Sequence, residues 1–191
     1  IQFGIVYKPM HKVSGDFLNI YKKGKEIFVL LADVSGHGVP AALITMAANE
    51  AFSLAIRNSD SPAAVFREVN RQLSEQIKTQ DYLTAFLVRI DERMHITYAN
   101  ASHQRALHYR KKRNAIETYD TNGLFIGAMA DATDTYEEKQ SRLEFGDLLL
   151  LFTDGITEQA NPAGEEFGHA RLQELIFEHR DLTAQQIADK I

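Results

Sequence analysis

Three aspartates in this sequence stand where carboxylate chemistry could be built. Asp33 closes the apolar stretch 26–33 and runs into the glycine-rich Ser35-Gly36-His37-Gly38. Asp154 follows a second apolar stretch, 148–152, and is followed by Gly155, while Asp16 sits in Ser14-Gly15-Asp16-Phe17 at the head of a strand-like segment. Each acid thus lies at the end of a strand expected to be buried, and each lies beside a glycine. Burying one unpaired carboxylate is costly, and burying three together calls for a cation. An all-oxygen donor set without cysteine selects Mg²⁺ or Mn²⁺ over zinc or copper. The competing reading is that each Asp opens a turn, as Asp-Gly pairs do. It is the reading adopted for Asp91, Asp131 and Asp147; it stays open for Asp154, and it is the weaker one for Asp16, Asp33 and Asp154 jointly.

The elements that must position these acids follow from periodicity. Residues 1–8 alternate loosely, 17–21 form a short strand, and Lys22-Lys23-Gly24-Lys25 turns the chain into 26–33, a strand covered on both faces. The period then changes to helical over 40–56, with Pro40 where a first turn tolerates it. Ser61-Pro62 starts a second helix whose Val65, Val69, Leu73 and Ile77 recur every four residues, and it is expected to lie antiparallel to the first. Strands return at 83–90 and 95–99, then at 105–109 and 116–119 around the basic tip 110–114, then at 135–143 and 148–152. Two helices close the chain at about 169–179 and 184–191, the latter announced by the capping-box pair Thr183 and Gln186. Strands, a helical pair, more strands and terminal helices predict an α+β fold rather than parallel α/β. Two packed antiparallel β-sheets forming a central sandwich flanked by helices accommodate this order.

Composition narrows the function classes. The chain has 191 residues, 45% of them hydrophobic and 25% charged, which fits one water-soluble domain that buries roughly 70% of its unfolded surface. Cysteine is absent, so disulfides, thiolate metal sites and cysteine nucleophiles are excluded together. A net charge of −5 at pH 7 disfavours nucleic acid and anionic membranes as partners. The longest unbroken apolar run is six residues, from 27 to 32, against the ~20 of a membrane helix. The chain opens on Ile1 and stops at Ile191 within a helical pattern, so it reads as one domain cut from something longer.

The residues also carry a resemblance. Ala32-Asp33-Val34-Ser35-Gly36-His37-Gly38, followed by Pro40-Ala41-Ala42-Leu43, resembles a signature of the stage II sporulation protein E type serine/threonine phosphatases, within the protein phosphatase 2C-like superfamily of metal-dependent enzymes. Ser14-Gly15-Asp16-Phe17 resembles that family's Gly-Gly-Asp-Phe element. Phe152-Thr153-Asp154-Gly155-Ile156-Thr157-Glu158 is similar to its Thr-Asp-Gly-hydrophobic-Thr-Glu element. The matches run in the family's order from Asp16 to Gly168.

The resemblance implies two Mn²⁺ or Mg²⁺ ions between two central sheets. Asp33 would bridge both, the backbone carbonyl of Val34 would bind one, Asp154 would bind the other, and Asp16 would hold an ion directly or through its waters. A bridging water would then attack phosphorus in line, with no protein nucleophile. Gly15, Gly36, Gly38 and Gly155 would shape these loops. His37 invites a general-acid role, but the acid proposed in the eukaryotic branch lies two residues after the bridging Asp, where Ser35 stands here; packing or loop anchoring is the preferred role for His37.

Three departures accompany the match. Asn100-Ala101-Ser102-His103 has Ser102 in place of a family glycine, and strain of roughly 1–2 kcal/mol is expected if that position takes positive φ. Gly123-Leu124-Phe125-Ile126-Gly127 has Phe125 in place of proline. The family's C-terminal Asp-Asp-hydrophobic-Thr element is not found before Ile191, so a weakened second ion site is expected.

By resemblance the substrate is phosphoserine or phosphothreonine on a regulatory protein such as an anti-sigma factor antagonist, in the cytoplasm. Helices 40–77 are expected to meet a regulatory partner or a second copy, with no nucleic acid and no membrane contact, although the parent could carry a sensor or membrane segment. The rivals are a catalytically inactive module that keeps the fold for partner binding, and a two-metal nuclease, which the acidic balance disfavours.

Overall fold

The computed structural model describes residues 1–9, 14–36, 38–77 and 81–191. They divide into two compact units: Pro9–Arg105 with Asp120–Leu143, and Ile1–Lys8 with Ala106–Tyr119 and Glu144–Ile191.

The larger unit is a five-stranded antiparallel sheet with two helices. Its strands are β1 (Phe17–Lys23), β2 (Glu26–Val34), β3 (Leu83–Ile90), β4 (His95–Ala101) and, after β5 (Ala106–Arg110) and β6 (Ala115–Tyr119) of the smaller unit, β7 (Lys139–Arg142), hydrogen-bonded in the order β1-β2-β3-β4-β7. The β1–β2 hairpin closes on the pair Lys23 and Glu26 over a two-residue turn. Gly24 supplies the positive φ, +61°, that such a turn asks of its first central residue.

Alternation along β2 explains its unbroken apolar look. Phe28, Leu30, Ala32 and Val34 enter the main core together with helices α1 (Gly38–Asn58) and α2 (Pro62–Gln76), whereas Val29 and Leu31 are 9% and 8% exposed on the other face. Asp33 follows Val29 and Leu31, so it belongs to the face turned away from α1 and α2.

The helical pair has its expected start signals. Ser61 caps α2 by accepting from the Ala64 N–H at 3.1 Å, and Pro62 takes the first turn. Val65, Phe66, Val69 and Leu73 are fully buried, each such residue contributing roughly 1.5–3 kcal/mol. Phe66 stands edge-on to Phe52 of α1 at 6.1 Å and to Tyr136 at 5.7 Å. α1 itself is long and apolar enough to cross a membrane, with 33% of that window buried. The count of unbroken apolar residues missed this because Thr45, Asn49, Glu50 and Ser53 interrupt an otherwise apolar, Ala-rich helix. Its inner side, Ala48, Ala51, Phe52, Ala55 and Ile56, is core.

The smaller unit is a three-stranded antiparallel sheet in the order β6-β5-β8, formed by β5 (Ala106–Arg110), β6 (Ala115–Tyr119) and β8 (Leu148–Leu150), with helices α3 (Asp154–Thr157), α4 (Gly168–Glu178) and α5 (Ala184–Ala188). Leu172 and Ile176 of α4 join Leu107, Tyr109 and Phe152 in its core. The capping box of Thr183 and Gln186 opens α5.

Three expectations are corrected. Residues 1–8 form no strand; Ile5 instead exchanges hydrogen bonds with the Gln185 side chain, 3.1 Å and 3.2 Å, and Gly4 lies against the Ala184 backbone. Of 135–143 only β7 is a paired strand, and Thr135 ends a 3₁₀ turn (Ala130–Thr135) with its hydroxyl bonded to the Ala132 carbonyl at 2.6 Å. The β8 strand stops at Leu150 and its leucines are half-buried rather than fully covered.

Asp147, taken from sequence as a turn residue, does more than turn the chain. Its side chain is 1% exposed and receives the Glu144 and Lys111 N–H groups at 3.0 and 2.9 Å. It also meets His108 Nε2 at 3.0 Å and Arg110 at 3.3 Å, while His108 Nδ1 faces the Tyr119 hydroxyl at 2.7 Å. Burial and the neighbouring Arg110 charge push the His108 pKa down despite Asp147. A depressed histidine contributes stability that is present above its unfolded value of 6.5 and is lost as pH falls through the lower folded value. The His108 ring proton resonance is therefore expected to titrate below 6.5 in an NMR titration of the folded chain; a midpoint at or above that value would contradict the arrangement.

Candidate metal centre

Two of the three acids are set side by side by strand pairing. The β1–β2 register ends on Phe17 opposite Ala32, and one step further places Asp16 alongside Asp33 and Gly15 alongside Val34. The Val34 N–H donates to the Gly15 carbonyl at 3.3 Å. Asp16 and Asp33 are half-buried, and Val34 is 1% exposed. Ser14 Oγ accepts the Asp16 N–H at 3.1 Å, and Thr45 of α1 donates its hydroxyl to the Gly15 carbonyl at 3.2 Å.

Gly15 is dictated by space. A Cβ there would stand 2.5 Å from the Val34 carbonyl oxygen and 3.3 Å from Asp33 Oδ1. Two oxygens, one carbonyl and one carboxylate, thus face a cradle that any side chain would fill. A hard cation such as Mg²⁺ or Mn²⁺ takes this kind of donor, so the residues present fit the expected ion. Gly15→Ala should cost about 1–3 kcal/mol in chemical denaturation, as overpacking does, and should weaken Mn²⁺ binding in calorimetry. Wild-type values for both would remove the cradle from the account.

After Val34 the chain is pinned before it enters α1. The Ser35 N–H donates to the Tyr82 carbonyl at 2.8 Å, and the Tyr82 N–H donates to Ser35 Oγ at 2.9 Å. Ser35 is thereby a loop anchor. Gly36 and Gly38 take φ of +83° and +77°, conformations that favour glycine. His37 lies outside the described residues. Asp81 was not singled out from sequence, yet its Oδ1 lies 3.8 Å from where a Gly36 Cβ would be. It has no glycine neighbour and precedes an ordinary apolar strand, so no local signal marks it.

Asp154 and Gly155 belong to the smaller unit. Asp154 is half-buried in the first turn of α3, with its carbonyl accepting the Glu158 N–H at 2.8 Å and the Thr157 hydroxyl at 3.2 Å. A Cβ at Gly155 would meet only Thr153 Oγ1, at 4.0 Å, so space alone does not require glycine there. Among the described residues, no three His, Asp or Glu side chains gather as a metal-holding group.

The strand opposite Asp33 adds neighbours. Thr84 is its cross-strand partner on β3, and Thr84 Oγ1 lies 2.7 Å from His103 Nδ1. Ser102 has φ of +53°, the conformation expected of a position where the family carries glycine, and its hydroxyl donates to the Gly123 carbonyl at 2.9 Å. Phe125 packs against Tyr82 with 4.4 Å between ring centroids and the rings tilted by 41°. The basic tip 110–113 is a turn whose charges are matched by Glu117, Asp147, Asp181 and Glu144.

Comparison with known proteins identifies the family. The family described as Stage II sporulation protein E (SpoIIE) matches residues 23–191. The chain belongs to this family. One of the family-like relatives is the Phosphoserine phosphatase RsbU of Bacillus subtilis (strain 168), 30% identical over 192 residues, covering 100% of this chain and 56% of that protein. Another, Phosphoserine phosphatase RsbP of the same organism, is 28% identical over 199 residues and covers 100% and 46%. The chain therefore spans about half the length of the curated relatives it matches. The solved SiaA-PP2C domain of Pseudomonas aeruginosa superposes with a TM-score of 0.86 at 26% identity, covering 97% of this chain and 74% of that one. The α+β class expected from sequence, two antiparallel sheets with helices, is the fold observed.

Proposed function

We propose that residues 1–191 form one catalytic domain that hydrolyses phosphoserine or phosphothreonine on a regulatory protein, with Mn²⁺ or Mg²⁺ as cofactor. The observation that carries this reading is the Gly15 cradle, where Asp33 Oδ1 and the Val34 carbonyl converge in a chain of this family. Two relatives named phosphoserine phosphatases support the reaction class, and the SiaA match over 97% of the chain supports one domain. Asp33, the Val34 carbonyl, Asp16 and Asp154 are the proposed ligands. When bound, the cations supply Lewis acidity toward phosphoryl oxygens and a nucleophile at neutral pH.

The chain's own residues supply position. β2 holds Asp33 at its end, Gly15 admits the neighbouring strand, and Ser35 with Tyr82 fixes the exit of the loop. With no cysteine in the chain, a thiolate nucleophile plays no part.

By the same reading the substrate is an antagonist of an anti-sigma factor, and α1 is the face that meets a regulatory partner or a second copy. Val39, Leu43 and Met46 are 67%, 63% and 71% exposed, and Thr45 between them bonds the Gly15 carbonyl, so the helix is tied to the cradle. Met46→Lys should change stability by less than about 0.5 kcal/mol, as exposed substitutions do, while altering activation by the partner. A variant whose partner binding changes while kcat never does would count against this coupling.

Incubating the chain with Mn²⁺ and a phosphoserine protein or p-nitrophenyl phosphate tests the reaction: phosphate release is expected. Absence of turnover would favour a partner-binding module without catalysis, the rival that the altered Ser102 and Phe125 positions keep open and that Asp16, Asp33 and Asp154 argue against.

A further inference from the structure

His103 is held in place more firmly than filling space requires. It is 9% exposed, and Asn100 grips its backbone from both sides, accepting the His103 N–H at 2.8 Å and donating Nδ2–H to the His103 carbonyl at 3.0 Å. The same Asn100 amide donates to Asp120 at 2.7 Å. Ser102 adopts φ of +53° immediately before it, stabilised through the Gly123 carbonyl, and a bridge links Ser102 to Ala85 next to Thr84. This backbone brings the imidazole Nδ1 to 2.7 Å from the Thr84 hydroxyl. Thr84 is the cross-strand partner of Asp33, and directly opposed residues in an antiparallel pair share a face.

We propose that His103 and Thr84 are positioning residues for Asp33: His103 donates Nδ1–H to Thr84 Oγ1, which leaves the Thr84 hydroxyl hydrogen for the Asp33 carboxylate on the same face. The opposite tautomer would draw that hydrogen to His103 and turn oxygen lone pairs toward a carboxylate, which repels them. Carboxylates that hold cations are themselves oriented by hydrogen bonds, and losing such a partner typically costs 10–100-fold in metal affinity. The inference rests on Asp33 as a cation ligand, and its test separates the two claims.

Mn²⁺ is titrated calorimetrically into the wild-type chain, Thr84→Val, Thr84→Ser, His103→Leu, His103→Asn and Asp33→Asn. Thr84→Val and His103→Leu should weaken binding by about tenfold or more, whereas Thr84→Ser keeps the hydroxyl and His103→Asn keeps an N–H donor near Nδ1, so both should stay within about threefold. Wild-type affinity in Thr84→Val overturns the proposal while Asp33 stands. Wild-type affinity in Asp33→Asn overturns the ligand reading itself. If Thr84→Val or His103→Leu does not fold, nitrogen-15 shifts of His103 in the metal-free wild-type chain decide: a protonated Nδ1 supports the relay, and a protonated Nε2 with bare Nδ1 overturns it.

Discussion

Asp33→Asn should lower Mn²⁺-dependent hydrolysis of a phosphoserine substrate by about 10³-fold or more while leaving the circular dichroism spectrum and thermal midpoint near wild type. Each factor of ten corresponds to about 1.4 kcal/mol of transition-state stabilisation, and a metal clamp on phosphoryl oxygens supplies several. Asn keeps the size and shape of the half-buried side chain at the end of β2, so packing is preserved and only the charge is lost. Asp91→Asn is the matched control. Asp91 is a hairpin acid whose Oδ1 accepts the Arg93 and His95 N–H groups at 2.8 and 2.9 Å, and an amide oxygen can accept them too. Steady-state rates on both variants check the contrast; equal losses would mean that removing any acid suffices, and the Asp33 assignment would fall.

Asp147→Ala should be the most destabilising single change in the smaller unit, costing about 3–5 kcal/mol in urea unfolding. The side chain is 1% exposed and satisfies two backbone N–H groups, His108 and Arg110 at once. Truncation takes the acceptor away from all four groups, the 17%-exposed Arg110 charge among them. Its carboxyl sits below the ordinary 3.8: burial alone would raise it, but the Glu144 and Lys111 N–H groups and His108 outweigh that. Its contribution is thus present above 3.8 and lost as pH falls through the lower folded value, in a more acidic window than that of His108. A loss within experimental error of an exposed substitution such as Met46→Lys would show that the network is not structural.

The strands and helices that were readable from sequence are those whose signals are local. The apolar run of β2, the Ser61-Pro62 cap and the Thr183–Gln186 box involve neighbours in the chain, and each appears where expected. At Ser102 the resemblance placed a glycine and left the sign of φ open, and the residue takes +53°. Residues 1–8 misled because loose alternation says nothing about whether a partner strand exists. Thr135 misled because its hydroxyl bonds a backbone carbonyl and favours a turn over the strand that its alternation implied. Around the site, Asp16, Asp33 and their glycines were marked by their position at strand ends. Thr84 and His103 were not marked as neighbours of Asp33: the first depends on the β2–β3 register and the second on a contact across nineteen residues. Asp147 was visible as a turn acid, but its bond to His108 spans 39 positions, which no local pattern reports.

Phosphate release from a phosphoserine protein, measured before and after stripping divalent cations with a chelator and again on re-adding Mn²⁺, tests the central claim most directly. Turnover should disappear on chelation, return saturably with Mn²⁺, and do neither in Asp33→Asn. Full turnover surviving chelation, or identical Mn²⁺ dependence in Asp33→Asn, would contradict it.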